Sequence, residues 1–278
     1  MNAADPAELL RRADPAAALA ALTEQVRARP SDFKLRVFLA QLLCVLGHWE
    51  RALNQLDVAA QLDALAVPMR QVYGDAIRGE GLRAAVFAGQ RTPMVFGQPD
   101  EWLALLIESL LQRGRGQTEA AERLRARAFE DAPATAGQID GVPFAWLADA
   151  DMRLGPVLEA YINGRYYWVP LARLTRVRLD PPEDLRDGVW MPAHLDFDNG
   201  GASLALIPTR YEGSEHSTDG AVQLARKTEW RELAPEVWAG SGQRVFSSDA
   251  GEYPLMDVRE IVFNSPRPAS SPSGRADG

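Results

Sequence analysis

A single cysteine, Cys44, stands in the 278 residues, which excludes an intramolecular disulfide and any multi-cysteine zinc site. The three histidines, His48, His194 and His216, are scattered, none two to four residues from another, so no His-based metal site is expected. Lysine is almost missing. Lys34 and Lys227 are the only two, and the other 28 of the 30 basic residues are arginine, a bias that reads as GC-rich coding. No run of basic residues occurs, and 38 acidic residues leave a net charge of −8, which opposes binding to a phosphate backbone. No apolar run approaches the roughly 20 residues that cross a bilayer. Met1 to Ala18 carries Asp5, Glu8 and Asp14 without an apolar core, unlike a signal peptide. There is no Gly-x-x-x-x-Gly-Lys-Ser/Thr loop, no strand-borne GxGxxG and no GxSxG elbow. The expectation is a soluble cytoplasmic protein with no cofactor.

The composition, 46% hydrophobic and 24% charged, is that of a folded chain. Its two halves differ in grammar. To about residue 133 Ala, Leu, Arg and Glu dominate, whereas from about 155 short segments rich in Val, Tyr and Trp alternate with Pro and Gly. An offset of 34 residues, the tetratricopeptide period, places Ala18, Leu19 and Leu22 on Ala52, Leu53 and Leu56. A full unit runs from Phe33 to Ala66 with Gly47 in its turn. A second is degenerate, its first helix shortened by Gly79 and Gly81. A third pair has Asp100 capping Glu101–Arg113 and Thr118 capping Glu119–Phe129. Val95 and Phe96 anchor the intervening loop.

In the second half, Asn163-Gly164 between Pro156–Tyr161 and Arg165–Pro170 is a hairpin signal, and Asp198-Asn-Gly-Gly is another. Alternation puts Tyr166 and Trp168 on one strand face and Tyr167 on the other. The expected fold is α+β: a tetratricopeptide-like α-α superhelix over 1–143, a β-rich small barrel or sandwich-like domain over 144–263, and a disordered Pro/Ser-rich tail over 264–278.

Cys44 lies in an apolar helical run and reads as core. Asp149-Ala-Asp151 could hold a divalent cation with a nucleotide, making the chain a metal- or nucleotide-dependent enzyme or regulator. Its place at the domain joint fits equally well a structural role, capping backbone or pairing with Arg153. Stacked helix pairs form a concave surface suited to an amphipathic partner helix. The repeat offsets place Val37, Gln41, Cys44, Gln71, Asp75, Arg78, Leu103 and Ile107 on it, unless the β-rich half folds back over them.

Several ordered strings resemble one family. They include Leu35-Arg-Val-Phe-Leu-Ala-Gln-Leu-Leu-Cys-Val-Leu-Gly47, Ala148-Asp-Ala-Asp-Met-Arg-Leu-Gly-Pro156 and Asn163-Gly-Arg-Tyr-Tyr-Trp-Val-Pro170. Leu206-Ile-Pro-Thr-Arg-Tyr211, Arg226-Lys-Thr-Glu-Trp230 and Asp249-Ala-Gly-Glu-Tyr-Pro-Leu255 follow. The chain resembles, from about Leu19 to Phe263, the ImpE family (also called TagJ or SciE-type), accessory proteins of type VI secretion. The resemblance implies a tetratricopeptide-like domain joined to a family-specific β-rich domain and no catalysis. It also implies a partner, a helical segment of the small sheath subunit TssB, and a link to the ATPase ClpV.

Overall fold

The computed structural model describes residues 5–264; from residue 265 the segment read as a tail lies outside them. Aspartates start the first helices. Asp5 accepts the Ala7 N–H ahead of α1 (Pro6–Arg11), and Asp14 accepts the Ala17 N–H ahead of α2 (Pro15–Ala28). Asp32 accepts from Lys34 and Leu35 ahead of α3 (Phe33–Val45). These bonds satisfy amides that have no partner inside the helix. Gly47, at φ +68°, turns α3 into α4 (Trp49–Leu62). Ala18, Leu22, Ala52 and Leu56 are all buried, so the 34-residue offset does mark core positions.

The second unit is not a helix pair. One helix, α5 (Val67–Phe87), runs through Gly74, Gly79 and Gly81. A Cβ on Gly79 would stand 2.3 Å from Cε1 of Tyr161, so this glycine admits a sheet side chain rather than ending the helix. The hairpin of α6 (Glu101–Gly114) and α7 (Thr118–Asp131) completes the helical part. Asp100 occupies the cap position of α6 without a side-chain bond, and Thr118 is the first residue of α7, not its cap.

Strands begin earlier than the grammar shift suggests. Beyond the short β1 (Met94–Val95), β2 (Gly137–Ile139), β3 (Val142–Phe144) and β4 (Leu147–Asp149) precede β5 (Val157–Ile162) and β6 (Arg165–Pro170). Then come β7 (Leu174–Leu179), β8 (Trp190–Phe197), β9 (Ala202–Pro208) and the one-turn α8 (Gly220–Gln223). The hairpin β10 (Thr228–Ala234) and β11 (Val237–Gly242) is followed by β12 (Val245–Ser248), β13 (Gly251–Pro254) and β14 (Glu260–Phe263). Nine strands form one sheet in the order β1-β6-β5-β9-β8-β7-β14-β2-β3; β13-β12-β4 and β10-β11 form two smaller ones. The large sheet is antiparallel except where β1 joins β6. Its two edge strands do not pair with each other, so it is an open sheet rather than a closed barrel.

Each face of that sheet has its own core. Leu158, Val169, Met191, Ile207 and Ile261 meet Phe246 of β12 on one side, and residues from both ends of the sheet share this cluster, so the sheet curls around it. On the other, Tyr161, Tyr166, Trp168, Trp190 and Leu206 join the helices. Phe96 stacks on Phe197 at 4.1 Å and meets the Tyr167 edge at 6.2 Å, placing Tyr167 opposite Tyr166 and Trp168.

Candidate functional site

The buried stripe of α5, Tyr73, Ala76, Ile77, Glu80, Arg83 and Phe87, follows the helical period but carries two charges. Both find partners on the sheet. Arg83 donates to Glu159 of β5 at 2.8 and 3.2 Å and to the Arg210 carbonyl at 2.9 Å. Glu80 accepts from the Tyr161 hydroxyl at 2.8 Å and the Trp190 indole at 2.7 Å. Tyr166 donates to Glu159 at 2.6 Å and accepts from the Trp168 indole at 2.8 Å. Arg244 bridges Glu159 to Asp149, which ties the large sheet to β4. Burial works against the charged form of Glu159, but Arg83 and Arg244 outweigh it and hold the carboxyl at about 2. At Asp149 burial wins over Arg244 and pushes the carboxyl up to about 7.

Two further arginines fasten the helices from the sheet side. Arg210 donates to the Val45 and Cys44 carbonyls at the end of α3, at 2.6 and 2.9 Å. Arg226 donates to the Leu10 carbonyl at the end of α1, at 2.7 Å. Guanidinium groups there meet carbonyls of the last helical turn and the negative end of the helix dipole.

Asp149, Asp151 and Arg153 all lie at this joint. Asp149 accepts from the Asp151 N–H at 2.8 Å and the Tyr211 hydroxyl at 3.0 Å, besides Arg244. Asp151 accepts from Arg153 at 2.7 Å and from the Gly240 N–H at 3.0 Å. Their oxygens are occupied, and no cluster of three or more metal-ligating side chains exists among the described residues. The geometry thus gives no support to a cation between the two aspartates. Nor does Cys44 offer a nucleophile: burial raises its thiol far above the usual range.

The eight residues read as a groove separate into three groups. Leu103 has no exposed surface, and Cys44 and Gln41 are buried too; Leu103 and Cys44 share their core with Trp168, Trp190 and Leu206 of the sheet. The sheet has folded over that part of the helical surface. Val37 and Ile107 are half-buried, Ile107 packing against the same core. Gln71, Asp75 and Arg78 remain on the accessible side of α5, with Arg78 paired to Asp75.

An opening of about 400 Å³ lies beside them, between the first half of α5 and strands β8 and β9. Gln71, Val72 and Asp75 form the helical wall, and Pro192, His194 and Leu204 the sheet wall. The Asn163-Gly164 turn closes one end, with the Gly164 backbone against Asp75. Val72 is 50% exposed and Leu204 67%, although both face an apolar recess. Sequence reasoning missed Val72, Pro192 and Leu204. Leu204 sits in Ser203-Leu-Ala-Leu-Ile207, where burial of both faces erases the alternation that would single it out.

The ImpE protein family model matches residues 141–262. The type VI secretion system accessory component TagJ of Pseudomonas aeruginosa is 52% identical over 256 residues, spanning 92% of this chain and 90% of its own length. The crystal structure of protein VPA1032 from Vibrio parahaemolyticus is similar with a TM-score of 0.84 at 25% identity, covering 93% of this chain and 97% of that one. No helix among the described residues is long and apolar enough to cross a membrane.

Proposed function

Because the chain belongs to the ImpE (TagJ) family of type VI secretion accessory components, we propose that it is a non-enzymatic adaptor binding an amphipathic helix of the sheath subunit TssB. In this reading it works in the cytoplasm with the ATPase ClpV in sheath turnover, and the tetratricopeptide-like helices supply one wall of the site. The observation that carries the reading is the recess beside α5, where Val72 and Leu204 expose apolar surface between polar Gln71, Asp75 and His194. An amphipathic helix laid there would cover the apolar residues and leave its polar face to solvent.

Isothermal titration of the full chain with helical TssB peptides tests the proposal. Binding in the micromolar range is expected, weakened about ten-fold or more by Leu204→Glu and by Val72→Glu, each of which charges an apolar contact. Absence of heat up to about 1 mM peptide overturns the partner. Binding that is indifferent to both substitutions overturns the recess as its site.

A further inference from the structure

A second surface, remote in role from the recess, lies on the β10–β11 hairpin, which joins no third strand among the described residues. The Gly240 N–H donates to the Asp151 carboxylate at 3.0 Å, and the Gly242 N–H donates to the Ser214 hydroxyl at 2.8 Å. The Trp238 carbonyl accepts from the Met152 N–H at 3.0 Å. These β11 groups therefore point away from β10. In an antiparallel pair the residues opposite them also point their N–H and C=O groups outward. Those residues are Thr228, opposite Gly242, Trp230, opposite Gly240, and Glu232, opposite Trp238. No other backbone among the described residues takes up their groups, and Glu229 to Glu232 are exposed. The outer side of β10 is an open sheet edge.

The side chains beside this edge have a definite chemistry. Trp230 and Trp238 occupy diagonal cross-strand positions on one face of the hairpin. Met152, whose sulfur accepts the Trp238 N–H at 3.4 Å, leads into a cleft of about 500 Å³ that is also lined by Trp146. The three indoles are 40%, 38% and 42% exposed at Trp146, Trp230 and Trp238. At the size of a tryptophan each leaves roughly 100 Å² of surface open to a ligand. Three of the nearby carboxylates, Glu232 opposite Trp238, Glu236 in the hairpin turn and Glu252 on the cleft, have no cationic partner among the described residues. Aromatic faces among unneutralised carboxylates attract guanidinium and ammonium groups.

We propose that the open edge of β10 receives an extended, arginine- or lysine-bearing segment of a partner protein, which adds as a third strand and lays its cationic side chains on Trp230 and Trp238. Main-chain pairing supplies the register and alternate side chains the selectivity, as in other strand additions. The site is independent of the TssB reading, since it shares no residue with the recess.

The probe is the octapeptide (Arg-Thr)4, titrated into the full chain at about 50 mM salt and followed by tryptophan fluorescence and calorimetry. Saturable binding is expected. It should weaken about ten-fold with Trp238→Ser, and comparably when alternate peptide nitrogens are methylated to block pairing. A weakening of about three-fold with Glu232→Gln is the second readout should Trp238→Ser fail to fold. The acidic counterpart (Glu-Thr)4 should not bind, and Val72→Glu in the recess should leave the titration unchanged. No saturation up to about 1 mM, or equal binding of the methylated or acidic peptide, overturns the proposal.

Discussion

Replacing Arg83 by methionine removes the cation that fastens α5 to the sheet while keeping a side chain of similar length. Four contacts are lost: two to Glu159, one to the Arg210 carbonyl and the longer one to Glu80 at 3.4 Å. Removing one partner of a buried ion pair costs about 3–5 kcal/mol. Arg244 and Tyr166 still hold Glu159, which places that part near the lower limit. The Arg210 carbonyl loses a buried donor, adding about 1 kcal/mol or more. A total near 4 kcal/mol corresponds to a Tm lowered by roughly 10 °C for a chain of this size. Urea unfolding followed by circular dichroism and by tryptophan emission measures it, Trp168 and Trp190 lying beside the lost contacts. Glu159→Gln should be similarly costly, and the double variant should cost less than the sum of the two. A loss under about 1 kcal/mol, or strict additivity, refutes the claim that this network is closed to water and holds the two halves together.

Three other outcomes follow from the same geometry. Asp149 binds its proton more tightly folded than unfolded, so its contribution to stability is complete below about pH 4 and lost as pH rises through about 7. The displacement from 3.8 to about 7 corresponds to roughly 4 kcal/mol, and Asp149→Asn should flatten Tm against pH across that window. Gly81→Ala meets open space and should stabilise the chain by up to about 1 kcal/mol, whereas Gly79→Ala drives a methyl group into Tyr161 and should destabilise by about 1–3 kcal/mol; denaturation midpoints in urea distinguish them. Cys44, buried and with its thiol pushed upward in pKa, should react with Ellman's reagent only at the rate of unfolding, and fast labelling in native buffer would contradict its place in the core.

Local signals in the sequence were sufficient where the structure is local. The Asn163-Gly164 hairpin has both turn residues at positive φ, 49° and 75°, and its register follows directly from that turn. The α3–α4 and α6–α7 hairpins are likewise visible in their apolar period and turn glycines. The errors share one cause, tertiary context. Gly79 and Gly81 signal a break until Tyr161 is seen filling the space beside Gly79. Strands β2, β3 and β4, each three residues long, are too short for a period to register, and Pro143 counts against β3 until β3 is found to be an edge strand. The joint was legible as a place, at Asp149, Asp151 and Arg153. Its chemistry was not, because Arg83, Glu159 and Arg244 are 76 and 85 residues apart in their pairings.

The same distance effect decides what the helical surface can offer. A helical period reports which face is apolar but not what covers it, so Leu103 and Cys44 had the same standing in the sequence as Gln71 and Asp75. The sheet settles the difference by claiming the first two and leaving the others beside Leu204 and Pro192. One helix serves both purposes. Val72 and Asp75 of α5 face the recess, while Glu80 and Arg83, further along the same helix, are held by Trp190, Tyr161 and Glu159. The recess wall is therefore fixed at its far end by buried, charge-assisted hydrogen bonds, which are among the strongest available to a side chain. A ligand entering the recess meets a wall already ordered, and little of its binding free energy is spent on arranging the receptor. Loosening the joint at Arg83 should then weaken binding at the recess even though Arg83 touches nothing that enters it.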